Sequence, residues 1–286
     1  MSNIQISSPL VTIQWLAEHL NADNLIILDA RIKPITPVVS DATQEDPGCI
    51  QGALRFDFDE HIRDKSTDLP HMMPSAEFFA EEMQKLGINK DSAIVTYDDV
   101  GVYSSPRAWW MFRAMGHHQI AVLDGGLPAW KKAGYPCGIQ AETLGKTRGN
   151  FVSHPQKGMF VDSAQVLKAL FDPAFSVVDA RSEGRFKGQE PEPRAGLRSG
   201  HMPNAVNIPF ADLVVDGFVR QPESLKSIFA KKINQNQQLI FSCGSGVTAC
   251  VDALAAELAG YTKLTIYDGS WSEWGLPHSG LPVTKE

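Results

Sequence analysis

The sequence predicts an α/β protein of two tandem domains, each with a mostly parallel β-sheet and helices on both faces. Its 286 residues suit one large domain or two of ordinary size. Two segments recur about 145 to 150 residues further along the chain: Leu28–Arg31 resembles Val178–Arg181, and Val122–Gly125 resembles Ile266–Gly269. A repeat of that length corresponds to one domain, and within each copy strand-like and helix-like segments alternate.

The predicted strands are short runs of β-branched and other apolar residues, each followed by a turn residue. Because the runs are almost continuously apolar, we expect both faces of each sheet to be covered. Three runs are expected in each half: Leu25–Ala30, Ala93–Tyr97 and Ile120–Asp124, then Val177–Ala180, Gln238–Ser242 and Leu264–Tyr267.

Helical patterns fall between these strands. Ser105 followed by Pro106 predicts an N-cap and a proline at the first position of a helix. The alanine-rich segment Thr248–Ala259 predicts another helix, which ends before Gly260. The alternation of strands and helices favours parallel pairing of the strands.

Domain boundaries follow from a change in composition. Residues 138–158 are polar and glycine-rich, with scattered lysine and arginine, and this pattern predicts a linker. The N-terminal domain is therefore expected to span residues 1–137, and the C-terminal domain residues 159–286.

Composition excludes several classes of partner. The formal net charge is −7 and the sequence pI is near 5.6, so no nucleic-acid partner is expected. No window approaches about 18 consecutive apolar residues, so no membrane partner is expected. Four cysteines are too few for a disulfide framework, and no His/Cys spacing indicates a metal site. These features predict a cytoplasmic protein with free thiols.

The candidate nucleophile is Cys243. It follows the predicted strand Gln238–Ser242 and opens a glycine-rich turn that leads into a helix. Ligands of open α/β sheets bind beyond the carboxyl ends of the strands. The turn can direct several N–H groups into one concavity, and the helix N-terminus adds partial positive charge. Both effects favour a thiolate, which is the nucleophilic form. The alternative is a small buried core residue.

Three other kinds of loop resemble this turn. A serine hydrolase elbow needs a glycine two residues before its serine, but Cys243 stands at that position before Ser245, so that interpretation fails. A cysteine phosphatase loop needs an arginine where this chain has Ala249, so that interpretation fails. A dinucleotide-binding turn remains open, because Gly244, Gly246 and Ala249 fit its glycine pattern between a strand and a helix. In the first half Asp98 aligns with Cys243, and we therefore expect one active site, in the second half.

Six segments resemble the two-domain rhodanese-type sulfurtransferases, and the similarity covers nearly the whole chain. Within that family the chain is most similar to members that use 3-mercaptopyruvate, and the turn beginning at Cys243 is the specific marker. The other matching segments are Ser105–Trp110, Asp179–Phe186, Glu190–Arg194, Gly200–Pro209 and Tyr267–Trp274.

The resemblance implies two tandem rhodanese-like domains and a reaction. Sulfur from 3-mercaptopyruvate, a small-molecule donor, is expected to pass through a persulfide on Cys243 to a thiol, a thioredoxin-like acceptor or cyanide, with release of pyruvate and without a cofactor. Thiosulfate is the alternative donor. Neutral Gly244 and Ser245 stand where thiosulfate-using relatives typically carry Arg and Lys, which favours a monoanionic donor.

The resemblance also implies roles for individual residues. Arg185 and Arg194 are expected to bind the donor's carboxylate and ketone, since a guanidinium matches a carboxylate. His71 and Asp59 are expected to form a catalytic relay with Ser245. The remaining substrate-binding candidates belong to the turn itself: Gly244, Gly246, Val247 and Thr248.

Overall fold

The computed structural model describes residues 3–35, 48–141 and 147–285. The chain divides into two compact units. Unit 1 comprises Met1–Asp64, Met73–Gln156 and Asp216–Phe218, and unit 2 comprises Lys65–Met72, Lys157–Val215 and Val219–Glu286. No helix in the described part of the chain is both long and apolar enough to cross a membrane.

Unit 1 contains a five-stranded parallel sheet with helices around it. The strands of unit 1 are β1 (Leu10–Val11), β2 (Leu25–Asp29), β3 (Cys49–Ile50), β4 (Leu54–Arg55), β5 (Ala93–Tyr97), β6 (Ile120–Leu123) and β7 (Cys137–Gly138). Its helices are α1 (Ile13–His19), α2 (Ala76–Lys85), α3 (Ser105–Ala114) and α4 (Gly126–Lys132). The order in the main sheet is β1-β6-β5-β2-β4, while β3 and β7 form a separate antiparallel pair.

The second five-stranded parallel sheet lies in unit 2. The remaining strands are β8 (Phe160–Val161), β9 (Phe175–Asp179), β10 (Val206–Asn207), β11 (Val214–Val215), β12 (Phe218–Val219), β13 (Gln238–Ser242) and β14 (Leu264–Tyr267). The remaining helices are α5 (Ser163–Ala169), α6 (Glu183–Lys187), α7 (Pro222–Ala230), α8 (Ala249–Leu258) and α9 (Ser270–Trp274). The sheet order is β8-β14-β13-β9-β10.

The two sheets have the same strand order, which agrees with the internal similarity of the sequence. The predicted fold class, two mostly parallel sheets with helices around them, is confirmed. Strands β5 and β6 are buried along their whole length, as expected of strands covered on both faces. Three predicted strands have the observed bounds, and the other three differ from the observed strands by one or two residues at an end.

The start of α3 differs from its prediction. Ser105 is the first residue of the helix rather than its N-cap, and the N-cap residue Ser104 makes no side-chain capping bond. The physical reason is Asp98, whose carboxylate accepts hydrogen bonds from the Ser105 N–H and hydroxyl. The orphan donors at this helix end are therefore satisfied by a preceding loop.

The segment predicted as a linker, 138–158, lies partly with unit 1. Residues 142–146 lie outside the described residues. Phe151 donates its N–H to the Ile88 carbonyl at 3.1 Å and packs its ring against Phe79 and Phe112. The unit boundary falls after Gln156, and the precise domain limits remain a prediction.

Cys49 has a structural environment in unit 1. It is 2% exposed within the hydrophobic core, and its thiol donates a hydrogen bond to the Gly138 carbonyl at 3.2 Å. Cys49 is paired with Gly138 in the β3–β7 ladder, one position away from Cys137. Adjacent residues of a strand point to opposite faces, so the Cys49 and Cys137 side chains diverge.

Candidate active site

The site lies where β13 and β9 end side by side. These strands pair in parallel, with Ser242 opposite Asp179, and the next residues on each lead into the segments that carry the predicted site residues. Cys243 begins the turn before α8, while Arg181 begins the longer segment that contains α6. The parallel register therefore brings the turn and the arginine-bearing segment to one edge of the sheet.

The turn beginning at Cys243 contains one position, Gly246, whose backbone conformation only glycine adopts easily. Gly246 has a φ of 74°, a left-handed conformation that strains residues with a Cβ. Val247 is 4% exposed, and its carbonyl accepts the Cys250 N–H at 3.0 Å. Thr248 is the N-cap residue of α8 but makes no side-chain capping bond. The Thr248 hydroxyl is therefore not committed to the helix end.

Residues at the start of α9 hold the other side of this turn. Ser270 Oγ accepts the Cys243 N–H at 3.2 Å, and the Trp271 N–H donates to the Cys243 carbonyl at 2.9 Å. Ser272 binds the Gly244 carbonyl with both its N–H, at 2.8 Å, and its hydroxyl, at 2.7 Å. These four bonds fix the backbone of Cys243 and Gly244. Cys243 as a whole residue is 2% exposed.

The corresponding turn of unit 1, which follows β5, surrounds a negatively charged side chain. Asp98 follows β5 as Cys243 follows β13, and its buried carboxylate accepts hydrogen bonds from five backbone N–H groups at 2.8–3.1 Å. The donors are Val100, Gly101, Tyr103, Ser104 and Ser105. A turn of this kind therefore gathers N–H groups around a negative charge.

In unit 2 the corresponding N–H groups belong to the turn that begins at Cys243. Within the described residues, no acceptor bonds to the N–H groups of Gly244, Ser245, Val247 or Thr248. These donors, together with the N-terminus of α8, favour negative charge at this position. The arrangement can stabilise a thiolate or a persulfide anion.

Two arginines converge on Gly244. A Cβ placed on Gly244 would lie 3.4 Å from Arg185 Nη2 and 3.5 Å from Arg194 Nη1. Arg185 comes from α6, and Arg194 from the loop that follows it. Both predicted anion-binding residues are thus brought to the turn, and the missing side chain of Gly244 leaves room beside their guanidinium groups.

Ser245 joins Arg194 and His71. Its hydroxyl oxygen lies 3.2 Å from Arg194 Nη2 and 3.0 Å from His71 Nδ1. Because a guanidinium can only donate, the Ser245 oxygen accepts from Arg194, and its own O–H remains able to donate. His71 is 3% exposed and has a φ of 63°, a conformation that costs about 1–3 kcal/mol and is typical of functional sites.

Asp59 belongs to unit 1, where its N–H donates to Asp57 Oδ1 at 3.2 Å. His71 and Ser245 belong to unit 2. The role of Asp59 as the third member of the relay remains a prediction.

Sequence reasoning missed several residues that support the site. Ser270 and Ser272 lie in the segment Tyr267–Trp274, which marks the family resemblance but suggested no role for its serines. Glu192 was also missed: its side chain is 2% exposed and lies between Arg181 and Arg185, with an oxygen 2.6 Å from a nitrogen of each. The Glu190–Arg194 motif was the available signal.

A buried carboxyl group lies close behind the site. Asp252 on α8 is fully buried, and neither of its oxygens has a hydrogen-bond partner within the described residues. Burial raises the pKa of this carboxyl well above its usual range, and the proximity of Cys243, Asp179 and Asp212 raises it further. Burial therefore favours the protonated, neutral form of the Asp252 carboxyl.

Comparison with known proteins places the chain in a family. The model of the rhodanese-like domain matches residues 12–133 and 162–276. The 3-mercaptopyruvate sulfurtransferase of Homo sapiens is 41% identical over 286 residues, covering 96% of this chain and 94% of that protein. The thiosulfate sulfurtransferase of Rattus norvegicus is 40% identical over 275 residues, covering 93% and 91%.

A solved structure agrees with the sequence comparisons. The crystal structure of SseA from Escherichia coli, described as a 3-mercaptopyruvate sulfotransferase, superposes with a TM-score of 0.79 at 34% identity. The match covers 93% of this chain and all of SseA. With two matched domains and relatives of this similarity over nearly their full length, the chain belongs to the rhodanese-like domain family.

Proposed function

We propose that this protein is a sulfurtransferase that moves sulfur from 3-mercaptopyruvate, through a persulfide on Cys243, to a thiol, a thioredoxin-like protein or cyanide. The observation that carries the proposal is the convergence of Arg185, Arg194 and Ser245 on the turn that begins at Cys243. The full-length similarity to 3-mercaptopyruvate sulfurtransferases supports the same donor.

The proposed reaction has two covalent steps. The Cys243 thiolate attacks the sulfur of 3-mercaptopyruvate, and the carbon–sulfur bond breaks with its electron pair going to carbon. The resulting enolate of pyruvate takes up a proton, and the sulfur stays on Cys243 as a persulfide. An acceptor nucleophile then attacks the outer sulfur and releases the Cys243 thiolate.

Each group in the site has a role in this scheme. The N–H groups of the turn stabilise the negative charge on the Cys243 sulfur and on the persulfide. Arg185 and Arg194 bind the donor's carboxylate and carbonyl oxygens, so that its sulfur approaches Cys243. Ser245, hydrogen-bonded to His71, is placed to supply the proton to the enolate. Asp59 would orient His71 in this relay.

Intact mass spectrometry tests the proposal directly. After mixing with 3-mercaptopyruvate, the protein should gain about 32 Da, the mass of one sulfur atom, on Cys243. Pyruvate should appear in equal amount, and a thiol should remove the added mass. Absence of both the adduct and pyruvate would refute the proposed function.

Thiosulfate is the second candidate donor, and the similarity to a thiosulfate sulfurtransferase favours testing it. Thiosulfate is a dianion, whereas the neutral residues Gly244 and Ser245 bring no extra cation to the turn. We therefore expect kcat/KM to be higher for 3-mercaptopyruvate. Tight binding of NAD or NADP in a calorimetric titration would instead favour the dinucleotide-binding alternative.

Replacing a donor-binding arginine should mainly weaken binding. Arg185→Met or Arg194→Met should lower kcat/KM for 3-mercaptopyruvate about tenfold, because a charge-assisted hydrogen bond to the donor is lost. Lys187→Met is the matched control, since Lys187 lies on the same helix but pairs with Glu183 at 2.7 Å. Steady-state kinetics should show a change in the arginine variants alone, and an equal loss in the lysine variant would contradict the assignment.

The hydrogen bond between Ser245 and His71 predicts non-additive variants. Ser245→Ala and His71→Ala should each lower kcat about tenfold, and the double variant should be little worse, because both remove one proton-transfer unit. Asp59→Asn should have a smaller effect on kcat. Exposed Ser224 provides the control Ser224→Ala. Multiplicative losses in the double variant would show that the two residues act independently.

A further inference from the structure

Glu192 is a buried carboxylate shared by two arginines. Its Oε1 lies 2.6 Å from Arg181 Nη1, and its Oε2 lies 2.6 Å from Arg185 Nη2. Arg185 Nε also donates to Oε1 at 3.3 Å, so Glu192 occupies one edge of the Arg185 guanidinium. Among the residues that the structure describes, no group bonds to the opposite nitrogen, Nη1, or to the second N–H of Nη2, so both can bind an anion.

Arg181 makes this arrangement rigid. Its side chain is fully buried and binds Asp179 through Nε at 3.0 Å and Nη2 at 2.6 Å. Its guanidinium also lies 4.0 Å from the ring centroid of Trp271, and the backbone N–H of Trp271 donates to the Cys243 carbonyl. The Asp179–Arg181–Glu192 chain is therefore attached to the same elements that fix the cysteine turn, and it holds Arg185 beside Gly244.

The charges of this network favour one class of donor. Glu192 contributes one negative charge beside the guanidinium groups of Arg181 and Arg185. It makes the site one unit less positive, which favours the single carboxylate of 3-mercaptopyruvate. Without the charge of Glu192 the site would be one unit more positive, which would favour a dianion such as thiosulfate.

We propose that Glu192 is a specificity-determining residue that makes the site prefer a monoanionic donor over a dianionic one. The inference rests on the proposed function, because it concerns the donor of that same site. Glu192 acts through Arg185: it fixes the direction of the guanidinium and offsets part of its charge. It is a positioning residue that does not itself need to touch the donor.

Glu192→Gln tests the charge while preserving the shape of the side chain. The ratio of kcat/KM for thiosulfate to kcat/KM for 3-mercaptopyruvate should rise about tenfold, because the site gains one net positive charge. High salt should reduce this gain. Glu190→Gln is the matched control, since Glu190 lies in the same loop and its Oε2 accepts from the Ser182 hydroxyl; its ratio should stay at the wild-type value.

The ratio of the two kcat/KM values distinguishes an effect of the Glu192 charge on donor preference from an effect on the fold alone. If Glu192 only stabilises the fold, Glu192→Gln should lower both kcat/KM values by the same factor, and an unchanged ratio would overturn the inference. Glu192→Asp keeps the charge and should keep the wild-type ratio even where its turnover falls; a raised ratio in this variant would also overturn it. Wild-type protein that turns over neither donor would instead refute the proposed function.

Discussion

Cys243→Ser should abolish sulfur transfer. We expect turnover with 3-mercaptopyruvate to fall by at least about a thousandfold, because a serine hydroxyl cannot carry sulfur as a persulfide and is a far weaker nucleophile at neutral pH. The variant should also lose the mass gain of one sulfur atom. Pyruvate release and intact mass, measured on the same sample, would check both expectations.

Cys250 provides the control for this variant. Its thiol is fully buried and donates to the Gly246 carbonyl, four residues earlier, at 3.3 Å. A serine at this helical position can make the same bond, so Cys250→Ser should retain turnover and the adduct. Full activity in Cys243→Ser would show that Cys243 is not the nucleophile. Loss of the adduct only in Cys250→Ser would show the same.

The nucleophile could be predicted because its signal is local. Cys243 stands at the end of an apolar strand, before glycines and a helix, and each of these features can be read from consecutive residues. The alignment of Asp98 with Cys243 was also available. Its physical meaning appears only in the structure, where five N–H groups surround the Asp98 carboxylate.

Local residue patterns could not predict the supporting contacts, because these join residues far apart in the sequence, and His71 was expected only from the family resemblance. Ser270 reaches the Cys243 N–H from the start of another helix, 27 residues away. His71 reaches Ser245 across 174 residues, in a segment that belongs to unit 2 although unit 1 residues lie on both sides of it. Residue patterns indicate strands, helices and turns, but they do not indicate which distant loops meet.

Asp252→Asn should stabilise the protein, and the gain should grow with pH. The native carboxyl is protonated because burial raises its pKa, whereas in the unfolded chain it ionises above about pH 3.9. Unfolding therefore releases a proton, and wild-type stability falls by about 1.4 kcal/mol per pH unit between the unfolded and folded pKa values. Asparagine has nearly the same shape and no such dependence. Denaturant unfolding at a series of pH values from 5 upward should show the difference widening as the pH rises.

The same variant separates a structural role of Asp252 from a catalytic one. Glu257→Gln, at a half-buried position of the same helix, provides the comparison variant. A neutral Asp252 adds no negative charge near Cys243, whereas an ionised one would oppose formation of the thiolate. Asp252→Asn should therefore keep turnover within about twofold at neutral pH, since one neutral group replaces another. If the difference in stability between Asp252→Asn and the wild type does not change with pH, the native carboxyl is ionised. The N–H groups of the turn would then have to balance the negative charge behind Cys243.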